Sequence, residues 1–185
     1  MDEKKVVLGL SGGVDSAVAA KRLRDQGFEV YGVYLDITDE DGVDAAKRAA
    51  SELNIPLEIL DIRDKLEHHV CAPFAASYLA GKTPLPCAVC NPTVKFPALL
   101  DAADRIGAKW VATGHYARTD MDEQGRARLL RGEHTNDQSY LLSRLTQEQL
   151  QRVIFPLGDY KKTETRAQAE ENHLSATDRP DSMEI

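Results

Sequence analysis

No stretch of this 185-residue chain approaches the ~18 consecutive apolar residues that a membrane helix needs, which argues against a membrane partner. The amino end, MDEKK followed by VVLGL, is too polar and too short for a secretory signal peptide, so a cytoplasmic location is expected. Three cysteines cannot all pair within one chain, which disfavours a secreted disulfide scaffold and favours reduced thiols. Basic residues are in deficit: 23 Lys and Arg face 30 Asp and Glu, a net charge of −7. That balance argues against a broadly basic nucleic-acid binder and leaves room for a local patch. No internal repeat, low-complexity tract or linker interrupts the chain. What remains, 42% hydrophobic and 29% charged residues, is ordinary globular material, long enough to bury a core as one domain or a domain with a small appendage.

The first half alternates two hydrophobic periods. Short Val/Leu-rich runs at Lys4–Leu10, Glu29–Leu35, Leu57–Asp61 and Trp110–Thr113 read as buried strands. Between them, Ser16–Gln26, Asp41–Leu53 and Lys65–Ala80 carry helical spacing, the first closed by Gly27 and the second by Asn54 and Pro56. Strands separated by helices predict an α/β fold, a doubly wound parallel sheet with helices on both faces. Gly81–Asn91 (GKTPLPCAVCN) reads as loop, and Tyr116–Arg131 as a hairpin excursion turning at Gly125. Asn91-Pro92 looks like a cap and first turn, with Pro97 either starting the following helix or kinking it. The last helix is expected over Lys162–His173, and the final dozen residues read as poorly anchored.

Ser11-Gly12-Gly13-Val14-Asp15-Ser16 joins the first strand to the first helix. Two glycines there let backbone N–H groups approach a phosphate, and the helix N-terminus adds a favourable dipole. Asp15 would repel a bare phosphate, so its use is to hold Mg²⁺ against one; the plainer reading is a tight turn with Asp15 as a cap. Neither a GxxxxGK[ST] loop with its lysine nor a GxGxxG fingerprint is present.

The whole string SGGVDS resembles the PP-loop of the ATP pyrophosphatases, which cleave ATP between its α- and β-phosphates. TPLPCAVCN, VKF, ATGHYAR, NDQSYLL, FPLGDYKKTETR and DSMEI then follow in order. Together these are similar to the N-terminal catalytic domain of the tRNA-specific 2-thiouridylases, the MnmA/TrmU family. The resemblance implies that Gly9, Leu10, Ser11, Gly12, Gly13, Val14, Asp15 and Ser16 line the phosphates of ATP with Mg²⁺. Leu35 would meet the adenine through its backbone, and Gly114 would touch the nucleotide. It implies Cys90 as nucleophile, with Asp15 the other catalytic residue. Leu85, Pro86 and Cys87 would lie beside the target base, and His115, Asn136, Asp137 and Gln138 would touch tRNA. The implied chemistry is adenylation of the wobble-uridine C2 oxygen, attack by sulfur at that carbon and departure of AMP. The sulfur would come from a donor protein or from sulfide.

Four departures from the family pattern bear on this reading. The family's second essential cysteine follows a DSMEI-like string, where this sequence ends, so the expectation is a chain without the persulfide partner of Cys90. Two further tRNA-gripping domains are likewise expected to be absent, with 155–185 the start of a linker or second domain. Asn136 stands where the family usually has lysine. The segment after Leu35 is shorter than usual.

Cys87-x-x-Cys90 stays open between a redox pair, half a zinc site and two ligands of an iron–sulfur cluster. Cys71 is read as core, and His68 and His69 as solvated. Arg118, Arg126, Arg128, Arg131, Lys161, Lys162 and Arg166 would form an RNA footprint only if they shared a face, and weak, salt-sensitive binding is the most expected of this chain. Two other readings remain: a PP-loop enzyme acting on a small carbonyl or carboxylate, and a non-catalytic module binding nucleotide or metal.

Overall fold

The computed structural model describes residues 1–37 and 40–178. Five parallel strands, β1 (Asp2–Gly9), β2 (Glu29–Asp36), β3 (Leu57–Asp61), β4 (Ala108–Ala112) and β7 (Val153–Ile154), form a sheet in the order β3-β2-β1-β4-β7. β5 (Ala117–Met121) and β6 (Ala127–Arg131) make the expected antiparallel hairpin, turning at Gly125. β7 was not foreseen: two residues are too few to show a period. The sheet runs outward from β1 in both directions, so the strand order reverses between β1 and β4, where doubly wound folds open a crevice at the carboxyl ends of their strands.

β1 is apolar on both faces because both are covered. Val6 and Leu8 pack against α1 (Val14–Asp25) and α2 (Glu40–Glu52), through Ala17, Val18, Leu23, Ala49 and Leu53. Val7 points the other way, into Phe96, Leu99 and Val111. α1 ends at Gly27 (φ +86°), where the Phe28 N–H returns to the Leu23 carbonyl and the Gly27 N–H to that of Arg24, the left-handed stop its sequence announces. α8 (Lys162–Glu171) lies on α1, with Thr165 and Ala169 fully buried. Leu174 and Ala176 are buried in the same core, so residues 174–177 are anchored where the sequence suggested a loose tail; 179–185 of that tail lie outside the described residues. Arg22 holds the approach to α8 from three sides: Nε donates to the Pro156 carbonyl (3.2 Å), Nη1 to Gln168 (3.3 Å) and Nη2 to the Tyr160 hydroxyl (2.5 Å).

The segment read as loop is corrected. Gly81–Leu85 is irregular, but Pro86–Cys90 is helical (α5), continues through a π-type stretch, Asn91–Lys95, and runs on into α6 (Phe96–Ile106). Pro86 occupies the first helical position, where its missing N–H costs nothing, so the prolines mark a helix start. The two prolines that follow explain the widened turn. The Phe96 N–H bonds five residues back, to the Asn91 carbonyl, and Pro97 has no N–H to offer. The Pro92 carbonyl, deprived of both neighbours, accepts from Gln149 Nε2 at 2.8 Å instead. Gln149 sits on α7 (Gln147–Leu150), whose cap Thr146 it also serves through a reciprocal capping box. A second π-type stretch, Glu67–Cys71, joins α3 (Arg63–Leu66) to α4 (Ala72–Leu79). No helix among the described residues is long and apolar enough to cross a membrane.

Candidate functional site

The SGGVDS turn leaves β1 at the reversal of strand order, and its shape depends on close packing. Gly12 has φ +78°, and a Cβ there would lie 2.6 Å from the backbone of Ala45 and Ala46 on α2. Gly114, just past β4, presses on the same turn from the other side: its Cβ would stand 3.0 Å from Asp15 C and Ser16 N. Gly9 faces Leu99, and Leu10 is buried, its N–H bonded to the Val33 carbonyl at 2.8 Å. Ser16 Oγ donates to the Gly13 carbonyl (3.0 Å) and lies 3.2 Å from Ser11 Oγ, so the two hydroxyls brace the turn. Gly13 is the N-cap of α1, and no side chain caps it. The first-turn amides beginning at Val14 therefore face the crevice with the positive end of a 12-residue helix behind them, which fits an anion.

Asp15 is engaged from far along the chain. Lys162 Nζ donates to both of its carboxylate oxygens, at 2.8 and 2.6 Å, and the Tyr116 hydroxyl donates to Oδ1 at 2.7 Å. The turn has no lysine of its own; α8 brings one, 147 residues away. Sequence reasoning missed Tyr116 altogether and weighed Lys162 only as part of an RNA footprint. The absence of a lysine from the loop was the available signal, since a turn that fits an anion is strengthened by a cation brought from another segment.

Leu35 lies near the end of β2. Gly32 and Asp36 exchange backbone bonds with the β3 side, whereas the Val33 carbonyl accepts from Leu10 on the β1 side. Alternation turns the Leu35 N–H and carbonyl toward β1, which has already left the sheet at Gly9. The backbone of Leu35 thus borders the crevice.

Cys87 and Cys90 lie one helical turn apart on α5, not on a loop, and both are buried. Cys90, 5% exposed, packs in an apolar cluster with Ile62, Leu66, Val70 and Val94, joined by Leu35, Ile37 and Leu60 from the ends of β2 and β3. Its thiol therefore stands at the carboxyl edge of the sheet, as the SGGVDS turn does. Cys71, expected in the core, is only partly buried and packs against this cluster. Leu85 is the exposed N-cap of α5 and Pro86 is buried.

The residues expected to touch RNA divide. His115 is buried, with Nδ1 2.8 Å from Thr113 Oγ1 and its ring edge-on to Phe155. Gln138 clamps Tyr116, accepting its N–H at 3.1 Å while the Gln138 N–H bonds back to the Tyr116 carbonyl. Burial works against the charge of Asp137, but N–H groups of Gly132 and Ser139, the Ser139 hydroxyl and Arg131 outweigh it and hold the carboxyl below its ordinary range. Asn136 donates to the Tyr160 carbonyl at 3.2 Å. Two arginines of the hairpin are taken up in local ion pairs, Arg126 with Asp122 and Arg128 with Asp120. Arg118 and Arg131 instead line one cavity with Lys161 and Lys162.

Fold and turn together define an α/β domain with a doubly wound parallel sheet and a glycine turn where its strand order reverses. A family model described as tRNA methyl transferase HUP domain matches residues 4–185, and the chain belongs to that family. Among curated proteins it is 46% identical over 198 residues to the tRNA-specific 2-thiouridylase MnmA of Heliobacterium modesticaldum, covering 99% of this chain and 51% of that protein. To its namesake in Clostridium perfringens it is 42% identical, covering 100% and 55%. The resemblance to the 2-thiouridylases therefore holds across the chain, which spans about half the length of the curated relatives it matches. Among solved structures, a 4-thiouridine synthetase–RNA complex with bound ATP superposes with a TM-score of 0.64 at 19% identity, over 96% of this chain and 43% of that one. NMN synthetase from Francisella tularensis gives 0.62 at 20%, over 98% and 67%. At these identities the likeness establishes the fold alone.

Proposed function

We propose that this chain carries the catalytic domain of an ATP-dependent tRNA 2-thiouridylase, giving 2-thiouridine at the wobble position with release of AMP and pyrophosphate. The observation that carries the reading is that the uncapped phosphate turn and Cys90 stand at one edge of the sheet, in a chain whose relatives are named for this reaction. ATP is a reactant that fits the turn: Gly9–Ser16 would take its phosphates, Leu35 its adenine through the backbone, and Gly114 would close the site. Bound ATP supplies the adenylyl group that makes the uridine oxygen a leaving group. Asp15 is the carboxylate that would hold Mg²⁺, and Lys162 would turn toward the phosphates once that carboxylate is otherwise occupied.

Cys90 is the nucleophile of this reading, with Leu85, Pro86 and Cys87 beside the base. Its 5% exposure means that the cluster of Ile62, Leu66 and Val70 must open before the thiolate can attack the outer sulfur of a donor protein's persulfide, whose own thiolate leaves; sulfide would instead attack the adenylated carbon directly, with AMP departing. His115 and Asp137–Gln138 act by holding the loops that face the RNA. The iron–sulfur expectation does not fit: among the described residues no three His, Cys, Asp or Glu side chains gather to hold a metal ion. Leu157, Ala169, Leu174 and Ala176 lie in the core that α1 and β1 share, so we read 155–178 as part of the same domain and not as a linker or second domain. The reading carries a cytoplasmic location with it. A small-molecule substrate is not favoured, because the curated relatives are named for tRNA.

Incubation with ATP, Mg²⁺, sulfide and unmodified tRNA should release pyrophosphate and AMP. Production of ADP and phosphate would overturn the proposal. Activity unaffected by Asp15→Asn would remove Asp15 from the machinery.

A further inference from the structure

The reading of this chain as a tRNA enzyme leaves open what grips the RNA backbone, since Asp137 and Gln138 spend their polar atoms on neighbouring protein groups. Beside them lies a cavity of about 690 Å³ built from the base of the hairpin, the segment after β6 and the start of α8. Arg118, Arg131, Lys161 and Lys162 line it, with Glu133 the one carboxylate among the lining residues. On a chain of net charge −7 this is a local reversal of sign, the condition for drawing in a polyanion.

The lining charges are not equally available. Arg118 is held by Glu133 at 2.6 Å and lies 3.6 Å from Asp159, and Lys162 is bound to Asp15. Arg131 reaches Asp137 only at 3.5 Å and is 81% exposed. Lys161 is exposed, and among the described residues its ammonium has no ion-pair partner. Its backbone is fixed, however, because the Lys161 N–H donates to Glu164 Oε2 at 2.7 Å. Asn136 lines the same cavity and bonds to the carbonyl of Tyr160, next to Lys161. A cation at 136 would therefore face the same cavity as the one at 161.

We propose that this cavity is a subsite for phosphodiester groups of the tRNA backbone, with Lys161 and Arg131 as its principal contacts. The proposal rests on the tRNA reading above. Exposed guanidinium and ammonium groups around an open basin suit a strand passing over it; the phosphates of bound ATP belong to the turn at the other end of Lys162.

The test is binding of unmodified tRNA to the full chain, as a function of salt, alongside ATP binding without RNA. Lys161→Ala should weaken tRNA binding roughly 3- to 10-fold and lower the slope of log K against log salt by ~0.7–0.9. Adding Asn136→Lys to that variant should restore both, which a merely structural role for Lys161 would not do. ATP affinity should stay unchanged. Unaltered tRNA affinity and slope in Lys161→Ala, or failure of Asn136→Lys to rescue, overturns the subsite while leaving the enzyme reading intact. A parallel loss of ATP affinity would give the cavity to nucleotide phosphates and overturn it equally. A wild-type chain that binds no tRNA at any salt would sink the functional reading and this subsite together.

Discussion

Two glycines with nearly the same backbone conformation differ in their surroundings, and that difference can be measured. Gly12 (φ +78°) and Gly27 (φ +86°) both sit in the left-handed region, but a Cβ at Gly27 would meet nothing within 4 Å. At Gly12 it would lie 2.6 Å from Ala45 C and Ala46 N, backbone atoms of α2 that cannot rotate away. Gly27→Ala carries only conformational strain, about 1–2 kcal/mol, offset by ~0.4–1 kcal/mol from the stiffer unfolded chain. Gly12→Ala adds overpacking of about 1–3 kcal/mol, for a total of roughly 2–4 kcal/mol. At 2–4 °C per kcal/mol for a chain of this size, Tm should fall by about 1–4 °C for Gly27→Ala and about 5–15 °C for Gly12→Ala, read by scanning calorimetry. Because α2 can be relieved only by moving the turn, Gly12→Ala should also weaken ATP binding more than ~10-fold, where Gly27→Ala leaves it alone. Equal Tm shifts for the two variants would refute the claim that α2 buttresses the phosphate turn.

Lys162→Met leaves the Asp15 carboxylate, less than a third exposed, without its ammonium partner; stability should drop by about 1–3 kcal/mol and pyrophosphate release by at least ~10-fold, checked by calorimetry and a coupled phosphate assay. Asp137 contributes stability that is fully present above its unfolded-state value of about 3.9 and is lost as pH falls through its lower folded-state value, because the folded carboxyl is held charged. Asp137→Asn should erase that acid arm of the stability curve, and an unchanged arm would assign it to other carboxylates. Titration with an aromatic disulfide reagent should find Cys71 fast and Cys87 and Cys90 slow; a Cys90 as fast as Cys71 would contradict its closure by Ile62, Leu66 and Val70.

The strands and their order of appearance could be read because each is a short apolar run bounded by a helix of ordinary length. The register of β2 on β1, from Lys5 opposite Glu29 to Gly9 opposite Val33, follows once both faces of β1 must be covered. The helix at Pro86 was misread because proline argues against a helix interior and for a helix start with the same letter. Only the rest of the segment, including Gln149 arriving at Pro92 from 57 residues away, decides which.

By itself the sequence settled what is local: the strand–turn–helix around SGGVDS, the glycine stops, the hairpin at Gly125 and the motif order that names the family. Local propensity and spacing are written along the chain, so a linear reading recovers them. Tertiary structure alone decided which charge answers which. Lys162 meets Asp15, Asn136 meets the backbone beside Lys161, and Cys90 closes into an apolar cluster, because partners more than a hundred residues apart in the first case are neighbours only after α8 packs on α1. Long-range pairing depends on how faces dock, and no period in the sequence encodes it.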